Sequence, residues 1–221
     1  EKITKQIGDG NLLSQLTKKT VVYDFRQNDI KNGGEGAPLT PIFHQLILKQ
    51  NKIEVPSCVL NIGGISNITI VKNYYPFDFT SRDIGPGNCL IDSWVRKNSN
   101  QKFDKDGKLA SIGEINEIIL EQAQELYSNR PNQKTLSLDV NDFDVSFARG
   151  LSLEDGAATL TDFTGGIIAA ALFPLLLNVK EKFFKVLVCG GGRNNKTLLN
   201  KIKNRNLKNL VLQPIDDYGV D

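Results

Sequence analysis

The chain of 221 residues contains no methionine, one histidine, three cysteines and one tryptophan. A single histidine leaves too few ligands for a typical zinc site, and it argues against a Cys–His or Ser–His catalytic pair. An odd number of cysteines in apolar surroundings argues against a disulfide framework and indicates buried thiols in a reducing cytosol. We therefore expect a cytoplasmic protein whose chemistry depends on other side chains.

Long apolar runs and a strong net charge are also missing. The longest apolar stretch, from Gly165 to Leu177, contains Pro174 and is too short to span a bilayer, so it predicts a core helix. A net charge of +2 predicts no general affinity for nucleic acid or membranes. A late basic run, from Lys180 to Lys208, is interpreted as a solvated helix face, with contact to nucleotide phosphates as the alternative.

The two ends of the sequence carry a separate expectation. The chain begins at Glu1 without an initiator methionine, and it stops at Asp221 in a polar turn that follows an apolar segment. From these ends we expect a fragment of a longer protein.

The periodicity of apolar residues predicts a mixed sheet with helices packed against it. Early strands are expected to pair as a hairpin around Gly63-Gly64, and late strands alternate with helical patterns. The predicted strands are Thr20–Phe25, Ser57–Ile62, Asn67–Val71, Lys185–Cys189 and Leu210–Leu212. The predicted helices are Pro41–Lys49, a helix after Asn88, an amphipathic segment Glu114–Tyr127, Leu153–Leu177 and Lys196–Lys203.

The most informative stretch is Asp83-Ile84-Gly85-Pro86-Gly87-Asn88, in which a carboxylate enters a Gly-Pro-Gly turn. A helical pattern begins directly afterwards at Cys89. A tight turn before a helix start exposes backbone N–H groups and fixes an acid beside them, which suits an anionic or hydroxyl-rich ligand. The alternative is an ordinary strand-to-helix junction with an aspartate near the helix N-terminus.

Glycine clusters fall at the ends of the predicted elements. Such clusters let a ligand approach the backbone closely, and four of them favour a cleft for a phosphate or a sugar. None fits a Walker A loop or a dinucleotide fingerprint. The strand–glycine–helix unit at Gly190–Gly192, with Arg193 beside it, predicts a nucleotide contact. The clusters are Gly33–Gly36, Gly63-Gly64, Gly85–Gly87 and Gly190–Gly192.

Carboxylates are the remaining candidates for acid–base chemistry. Asp83 is the best placed, because it lies in a constrained turn beside Arg82, whose charge would keep it ionised as a base. Asp24 with Arg26 is second, although a pair at a strand end is often structural. His44 is interpreted as structural. The other candidates are Asp92, Asp104, Asp106, Glu154 and Asp155.

In this order along the chain, the motifs resemble the anhydro-N-acetylmuramic acid kinase family of the sugar kinase/heat-shock-70/actin superfamily. The resemblance covers essentially the whole chain. The matching stretches are Gln6–Asp9, Asp24–Arg26, Gly33–Leu39, Asn61–Asn67, Asp83–Asn88, Phe103–Gly107, Asp155–Thr161, Val188–Gly192 and Asp216–Gly219.

The resemblance implies an α/β fold of the actin-like ATPase (ribonuclease H-like) type, with mixed sheets and ATP between two domains. Residues 1–54 would be the remainder of an incomplete N-terminal domain. Residues 55–221 would be most of the C-terminal domain, without its terminal helix. A possible homodimer, with no nucleic-acid or membrane partner, is also implied.

The resemblance also implies a reaction. Family members use ATP and Mg²⁺ to convert the amino sugar 1,6-anhydro-N-acetylmuramic acid and water to N-acetylmuramic acid 6-phosphate, in cell-wall recycling. Asp83 would be the base that activates water. Arg26, Gly85, Gly87 and Asn88 would bind the sugar, while Gly63, Gly64 and Gly190, Gly191 and Gly192 would line the nucleotide; no protein metal ligand is assigned.

Departures from the family pattern keep other interpretations open. The N-terminal phosphate-binding motif has no counterpart, Ile84 replaces a usual threonine and Glu35 a usual glutamine, and the stretch around Val140 lacks the usual basic residues. One alternative is a degenerate remnant of the kinase that binds sugar or nucleotide without turnover. Another is a carbamoyl- or hydantoin-processing member of the superfamily, which the motifs around Gly36 and Gly87 argue against.

Overall fold

A computed structural model of the chain describes residues 7–34, 36–76, 78–129, 138–177, 184–205, 207 and 209–220. Within these residues a five-stranded sheet has the order β3-β2-β1-β4-β5. Strand β1 pairs antiparallel with β2 and parallel with β4; β2–β3 is antiparallel and β4–β5 is parallel. The strands are β1 (Ser57–Ile62), β2 (Ile65–Val71), β3 (Phe79–Pro86), β4 (Phe184–Cys189) and β5 (Leu210–Pro214).

Helices precede, follow and connect these strands. Short 3₁₀ turns cover Lys105–Gly107, Val140–Asp142, Ser146–Ala148, Gly191–Asn194 and Ile215–Tyr218. The α-helices are α1 (Gly10–Thr17), α2 (Phe25–Lys31), α3 (Pro41–Gln50), α4 (Cys89–Asn98), α5 (Lys108–Ile112), α6 (Glu117–Ser128), α7 (Leu153–Leu177) and α8 (Lys196–Lys203). The predicted mixed α/β class is confirmed.

Alternation along β1 builds two cores, one on each face of the sheet. Leu60 and Ile62 pack in one core with side chains of α7 and α8, such as Ile168 and Ile202. Val59 lies in the other core with Leu48 of α3. A third cluster joins α4, α5 and α6 to α7. Helix α3, which precedes the predicted domain boundary at residue 55, is thus part of the core of this sheet.

Helix α7 is the long apolar helix expected at Gly165–Leu177. The segment Leu153–Leu175 is long and apolar enough to cross a membrane by length and composition. Most of it is nevertheless buried among α4, α5, α6, α8 and β3. Lys201 of α8 and Arg205, which follows that helix, both pair with the buried carboxylate of Asp162 on α7. The interpretation of α7 as a core helix agrees with this packing.

His44 fixes α3 to the sheet. It is buried, and its Nδ1 lies 2.8 Å from the hydroxyl of Thr69 on β2. That hydroxyl lies 3.3 Å from the Ser81 hydroxyl, which donates to the Ile68 carbonyl. Burial lowers the pKa of His44 to about 4, so the ring is neutral at physiological pH. The structural interpretation of this histidine agrees with these contacts.

Three local predictions are wrong. Residues 20–24 form no strand, and helix α2 begins at Phe25. Beta-branched residues favour strands only where they pack against a neighbouring strand, and Val22 is 71% exposed. Asp83 does not lie in a turn but in β3, an edge strand whose polar residues hid its pattern. The amphipathic pattern of Glu114–Tyr127 predicts an apolar face of Ile115, Ile118, Ile119 and Leu126, but Ile118 and Leu126 are each 70% exposed, and the buried residues of α6 are Leu120 and Ala123.

Candidate functional site

The hairpin turn at Gly63-Gly64 is hydrogen-bonded to the segment that follows β3. The backbone N–H of Gly87 donates to the Gly64 carbonyl at 2.8 Å, and that of Asn88 donates to the Gly63 carbonyl at 2.7 Å. The Ser66 hydroxyl donates to the Pro86 carbonyl at 3.1 Å. Two glycine clusters that are more than twenty residues apart in sequence therefore form one rigid unit.

Close backbone approach explains the glycine at position 87. A Cβ atom there would lie 2.3 Å from the Gly63 carbonyl oxygen, a distance that real Cβ atoms do not adopt. Asn88 follows, and its amide donates to the Ile62 carbonyl at 3.2 Å. Because Asn88 precedes α4, the hairpin also fixes where that helix begins.

A third glycine cluster packs against the same end of β1. Gly190 has φ = +77°, and a Cβ on it would lie 2.4 Å from Asn61 Oδ1 and 2.6 Å from the Ile62 carbonyl oxygen. At Gly192 a Cβ would meet the Ile62 side chain at 2.3 Å. We call the set Gly63, Gly64, Gly87, Asn88, Gly190, Gly191 and Gly192 the glycine hub.

Asp83 lies in β3, four residues before Gly87, and is half-buried. Its Oδ2 accepts a hydrogen bond of 2.9 Å from the backbone N–H of Leu138. Side chains alternate between the two faces of a strand, so Arg82 and Asp83 lie on opposite faces of β3. Their adjacency in sequence therefore does not by itself bring the Arg82 guanidinium next to the Asp83 carboxylate, as was expected. Val140, in the segment that departs from the family pattern, approaches Gly64, because a Cβ there would lie 3.2 Å from Val140 Cγ1.

Gly85 lies between Asp83 and the hub. Its φ of +153° is accompanied by close neighbours, since a Cβ would lie 2.5 Å from Ile167 and 3.0 Å from the Tyr127 hydroxyl. That hydroxyl donates to the Ile84 carbonyl at 3.3 Å. Helices α6 and α7 therefore pack against the end of β3. On the side that faces these helices, Gly85 is buried by Tyr127 and Ile167.

A cavity of about 440 Å³ opens beside the hub. Its wall includes Asn88, from the predicted sugar side, and Gly191, from the predicted nucleotide side. The structure thus brings these two predictions to one cavity. The lining residues are Asn88, Ile91, Asp92, Phe103, Asp104, Lys105, Asp106, Gly191, Asn194 and Asn195.

The loop on the far side of this cavity is held by Asp104 and Thr197. The buried carboxylate of Asp104 accepts from the N–H groups of Leu109 (2.8 Å) and Ala110 (3.0 Å) at the start of α5. The Thr197 hydroxyl donates to the Gly107 carbonyl at 2.7 Å. Asp104 was an acid–base candidate, but these bonds give it a structural task.

Asp92 and Phe103 are cavity residues whose position could not be read from local pattern. Burial raises the pKa of the Asp92 carboxyl, against an opposing effect of Arg96. Phe103 is 53% exposed and lies on the cavity wall. The matching stretch Phe103–Gly107 is the sequence signal that could place Phe103 at the site, whereas Asp92 follows the matching stretch Asp83–Asn88 by four residues.

The fourth glycine cluster belongs to a different local structure. Arg26 donates from Nη1 to the Gly36 carbonyl at 2.7 Å, and the Asp29 carboxylate accepts from the Gly36 N–H at 2.7 Å. The contacts that hold Arg26 thus lie within residues 26–36. Asp24 is the residue before α2 and has φ = +70°. Its side chain makes no capping hydrogen bond to that helix. The sugar-binding role of Arg26 stays a prediction, and Glu35 lies outside the described residues.

The three cysteines lie in the sheet or beside the hub. Burial raises the pKa of the Cys58 thiol to about 12 and that of the Cys189 thiol to about 11. Burial also raises the pKa of Cys89. Because the thiolate is the nucleophilic form, these groups are unsuited to covalent catalysis.

Asp92, Asp104 and Asp106 line the cavity, within the part of the chain that the structure describes. There, no group of three or more His, Cys, Asp or Glu side chains is placed to hold a metal ion. Magnesium in phosphoryl-transfer enzymes is commonly held by one or two carboxylates together with substrate phosphates. Magnesium therefore stays a prediction.

Comparisons with known proteins point to one family. A sequence model described as anhydro-N-acetylmuramic acid kinase matches residues 1–221. The protein of that name from Pelagibacter ubique (strain HTCC1062) is 55% identical over 221 residues, 100% of this chain and 59% of that protein. Its namesake from Zymomonas mobilis is 41% identical over 225 residues, 99% of this chain and 57% of that protein.

Similarity to solved structures is much weaker. Xylulose kinase from Rhodospirillum rubrum has a TM-score of 0.47 and 9% identity, over 80% of this chain and 39% of that chain. The chain spans a little over half the length of the two curated relatives above.

Proposed function

The chain belongs to the anhydro-N-acetylmuramic acid kinase family, and from this membership we propose that its protein phosphorylates 1,6-anhydro-N-acetylmuramic acid with ATP. Membership in this family supports the actin-like ATPase fold that the resemblance implies. The observation that best supports the activity is the glycine hub. It joins the segment after Asp83 to the Gly190–Gly192 turn through the end of β1. A sugar and a phosphate donor could therefore meet on one rigid frame.

Asp83 is proposed as the base. Its carboxylate takes a proton from water as the water oxygen attacks the anomeric carbon. The bond between that carbon and the 6-oxygen breaks, and the 6-oxygen attacks the γ-phosphorus of ATP, releasing ADP. The product is N-acetylmuramic acid 6-phosphate. The Leu138 N–H bond to Oδ2 would hold the carboxylate in orientation during the transfer.

The ligand positions are part of the proposal. We assign the sugar to Gly85, Gly87, Asn88 and Arg26, and the nucleotide to Gly63, Gly64 and Gly190–Gly192. Backbone groups of glycine turns can approach phosphates closely, and fixed geometry supplies much of the rate in phosphoryl transfer. Magnesium would neutralise phosphate charge when bound. A cytoplasmic location and a homodimer stay predictions.

The test compares Asp83→Asn with wild type, both in the complete gene product and in the 221-residue chain. Sugar phosphate is measured by mass spectrometry and ADP by a coupled assay, and nucleotide binding is measured separately. We expect Asp83→Asn to lower turnover by about 10³-fold, within the range for loss of a general base, and to leave nucleotide binding intact. Asp144→Asn is the matched control, because this carboxylate lies on an exposed loop and accepts from the N–H of nearby Ser146.

Two outcomes would count against the proposal. Turnover by Asp83→Asn equal to that of the control would exclude Asp83 as the base. Nucleotide and sugar binding without any phosphate transfer in the complete gene product would instead support the degenerate remnant. Both results can be read from the same set of proteins.

A further inference from the structure

We propose that Arg193 is a positioning residue: through Asp216 it holds the Gly190–Gly192 turn in the shape that receives the nucleotide. The inference rests on the proposed nucleotide site. It assigns to Arg193 a task other than the direct nucleotide contact suggested by its place beside the glycines. It also gives Asp216, in the segment after β5, a role in that site.

The side-chain geometry supports a clamp. Arg193 Nε lies 2.7 Å from Asp216 Oδ2, and Nη2 donates to Asp216 Oδ1 at 2.9 Å. The third nitrogen, Nη1, donates to the Gly190 carbonyl at 3.2 Å. One planar guanidinium therefore bonds a carboxylate bidentately and the first residue of the glycine turn at the same time.

Both ends of the clamp are tied to the sheet. Asp216 follows β5, whose Pro214 is paired with Val188 of β4, and Ile215 beside it is buried. Gly190 directly follows β4 and packs against Asn61 and Ile62. Arg193 thus connects the ends of two neighbouring strands, and a shift of the turn would have to stretch this connection.

Charge and exposure favour positioning over direct phosphate binding. The Arg193 side chain is only 14% exposed, whereas that of Asp216 is 46% exposed. The hydrogen bond from Arg193 lowers the pKa of the Asp216 carboxyl, so the pair is charged at neutral pH. For Arg193 to present the same Nε–Nη2 fork to a phosphate, it would have to leave Asp216.

Movement of the turn would alter the cavity. Gly191 lines it, and a Cβ on Gly192 would lie 3.1 Å from Asn88 Oδ1, so the turn and Asn88 are neighbours. Loss of the Arg193–Asp216 contact should therefore lower the affinity for nucleotide strongly, with only a small decrease in the stability of the fold. A residue with only a structural task would reduce stability and affinity in parallel.

The experiment measures binding of a fluorescent ATP analogue with Mg²⁺ and the melting temperature of the chain. The variants are Asp216→Asn, Arg193→Lys and the charge exchange Arg193→Asp/Asp216→Arg. Asp217→Asn is the matched control, since this neighbouring carboxylate bonds Gln213 rather than Arg193. Hydrogen exchange of the amides from 190 to 195 reports on the turn without any nucleotide.

We expect Asp216→Asn to weaken analogue binding about tenfold and to speed exchange in the turn, with Asp217→Asn unchanged. Arg193→Lys should lie between wild type and Asp216→Asn, because lysine cannot form the fork. The charge exchange should recover most of the lost affinity if the pair acts through the turn.

Other results overturn the inference. Unchanged affinity in Asp216→Asn would exclude the clamp, and this half-exposed position should tolerate asparagine without unfolding. A charge exchange that restores melting temperature and turn protection, but not affinity, would mean that Arg193 contacts the nucleotide itself. Wild-type chain that binds no analogue would overturn the nucleotide site, and the inference with it, before any variant is compared.

Discussion

The two glycine-rich regions of this molecule look alike in sequence and differ in structure. In the glycine hub, Gly87, Gly190 and Gly192 occupy positions where a Cβ would come within 2.6 Å of other atoms. In the Gly33–Gly36 loop, Gly33 has φ = +89°, and a Cβ added to it would meet no atom within 4 Å. Glycine is needed for space at these three hub positions and for backbone conformation at Gly33.

This difference separates two physical constraints. Gly33 follows the end of α2, and its N–H donates to the Ile30 carbonyl at 3.0 Å, as is common for a left-handed residue that ends a helix. The hub glycines instead let three chain segments touch at the end of β1. A substitution at Gly33 strains one residue, whereas a substitution at Gly87, Gly190 or Gly192 pushes apart segments that form the candidate site.

The largest effect is expected at the centre of the hub. Gly87→Ala should lower the free energy of unfolding by about 4 kcal/mol, because the new methyl group overlaps a backbone carbonyl that cannot rotate away. Urea denaturation measures it. Gly8→Ala is the control, since no atom lies within 4 Å of its Cβ position. Equal stability of the two variants would remove the distinction between the regions.

His44 tests the helix that connects the loop to the sheet. Its pKa is about 4 in the fold and 6.5 as the ordinary value, so the unfolded chain binds the additional proton as the pH falls. Stability should therefore decrease from pH 6.5 to pH 4, by at most about 3 kcal/mol, and should not change further from this group below pH 4.

The measurement is urea denaturation at several pH values in wild type and His44→Gln. This is the single histidine of the chain, so the difference between the two proteins isolates its contribution. Parallel pH profiles would mean that His44 is not buried in its neutral form.

A smaller effect is expected for the carboxylate that organises the loop. Asp29→Ala should cost about 2 kcal/mol of local stability, because the Gly36 N–H loses its acceptor at 2.7 Å. Hydrogen exchange should report faster opening around Gly36, with exchange in the hub unchanged. Spread of the effect to residues 190–192 would show that the two glycine regions are coupled.

The smallest effect is expected at the loop glycine itself. Gly33→Ala should cost about 1 kcal/mol, since the methyl group meets no neighbour and only the left-handed conformation is penalised. Gly33→Asn should cost less, because asparagine tolerates that conformation. Thermal unfolding measures both, and a loss as large as that of Gly87→Ala would reveal a contact at Gly33.

Strong local patterns allowed much of the fold to be predicted. The bounds of β1 and α8 agree with the prediction. The apolar run Cys58–Leu60 before Gly63-Gly64 marks β1, and an amphipathic repeat between Asn195 and Asn204 marks α8. Strand β3 could not be found, because it is an edge strand in which four successive polar residues, Thr80–Asp83, hide the alternation. Residues 20–24 show the opposite error, a predicted strand that does not form. Their β-branched residues have no partner strand.

The candidate site likewise has a part that could be predicted from the sequence and a part that could not. The glycine clusters were visible because each lies at an element end, and three of them do meet. The cavity could not be predicted, because its far wall depends on the Asp104 carboxylate and on Thr197, which is 90 residues from the Gly107 carbonyl it bonds. Local sequence carries no signal for a contact of that kind.

The parallel pairing of β1 with β4 has a consequence for how the chain acquires its shape. Asn61 is opposite Cys189, so the middle of the sheet closes only after a loop of more than a hundred residues has been gathered. The β1–β2 hairpin can form early, from local contacts alone. The turn after β4 must then arrive late, so we expect nucleotide-binding competence to be among the last properties to emerge during synthesis and refolding.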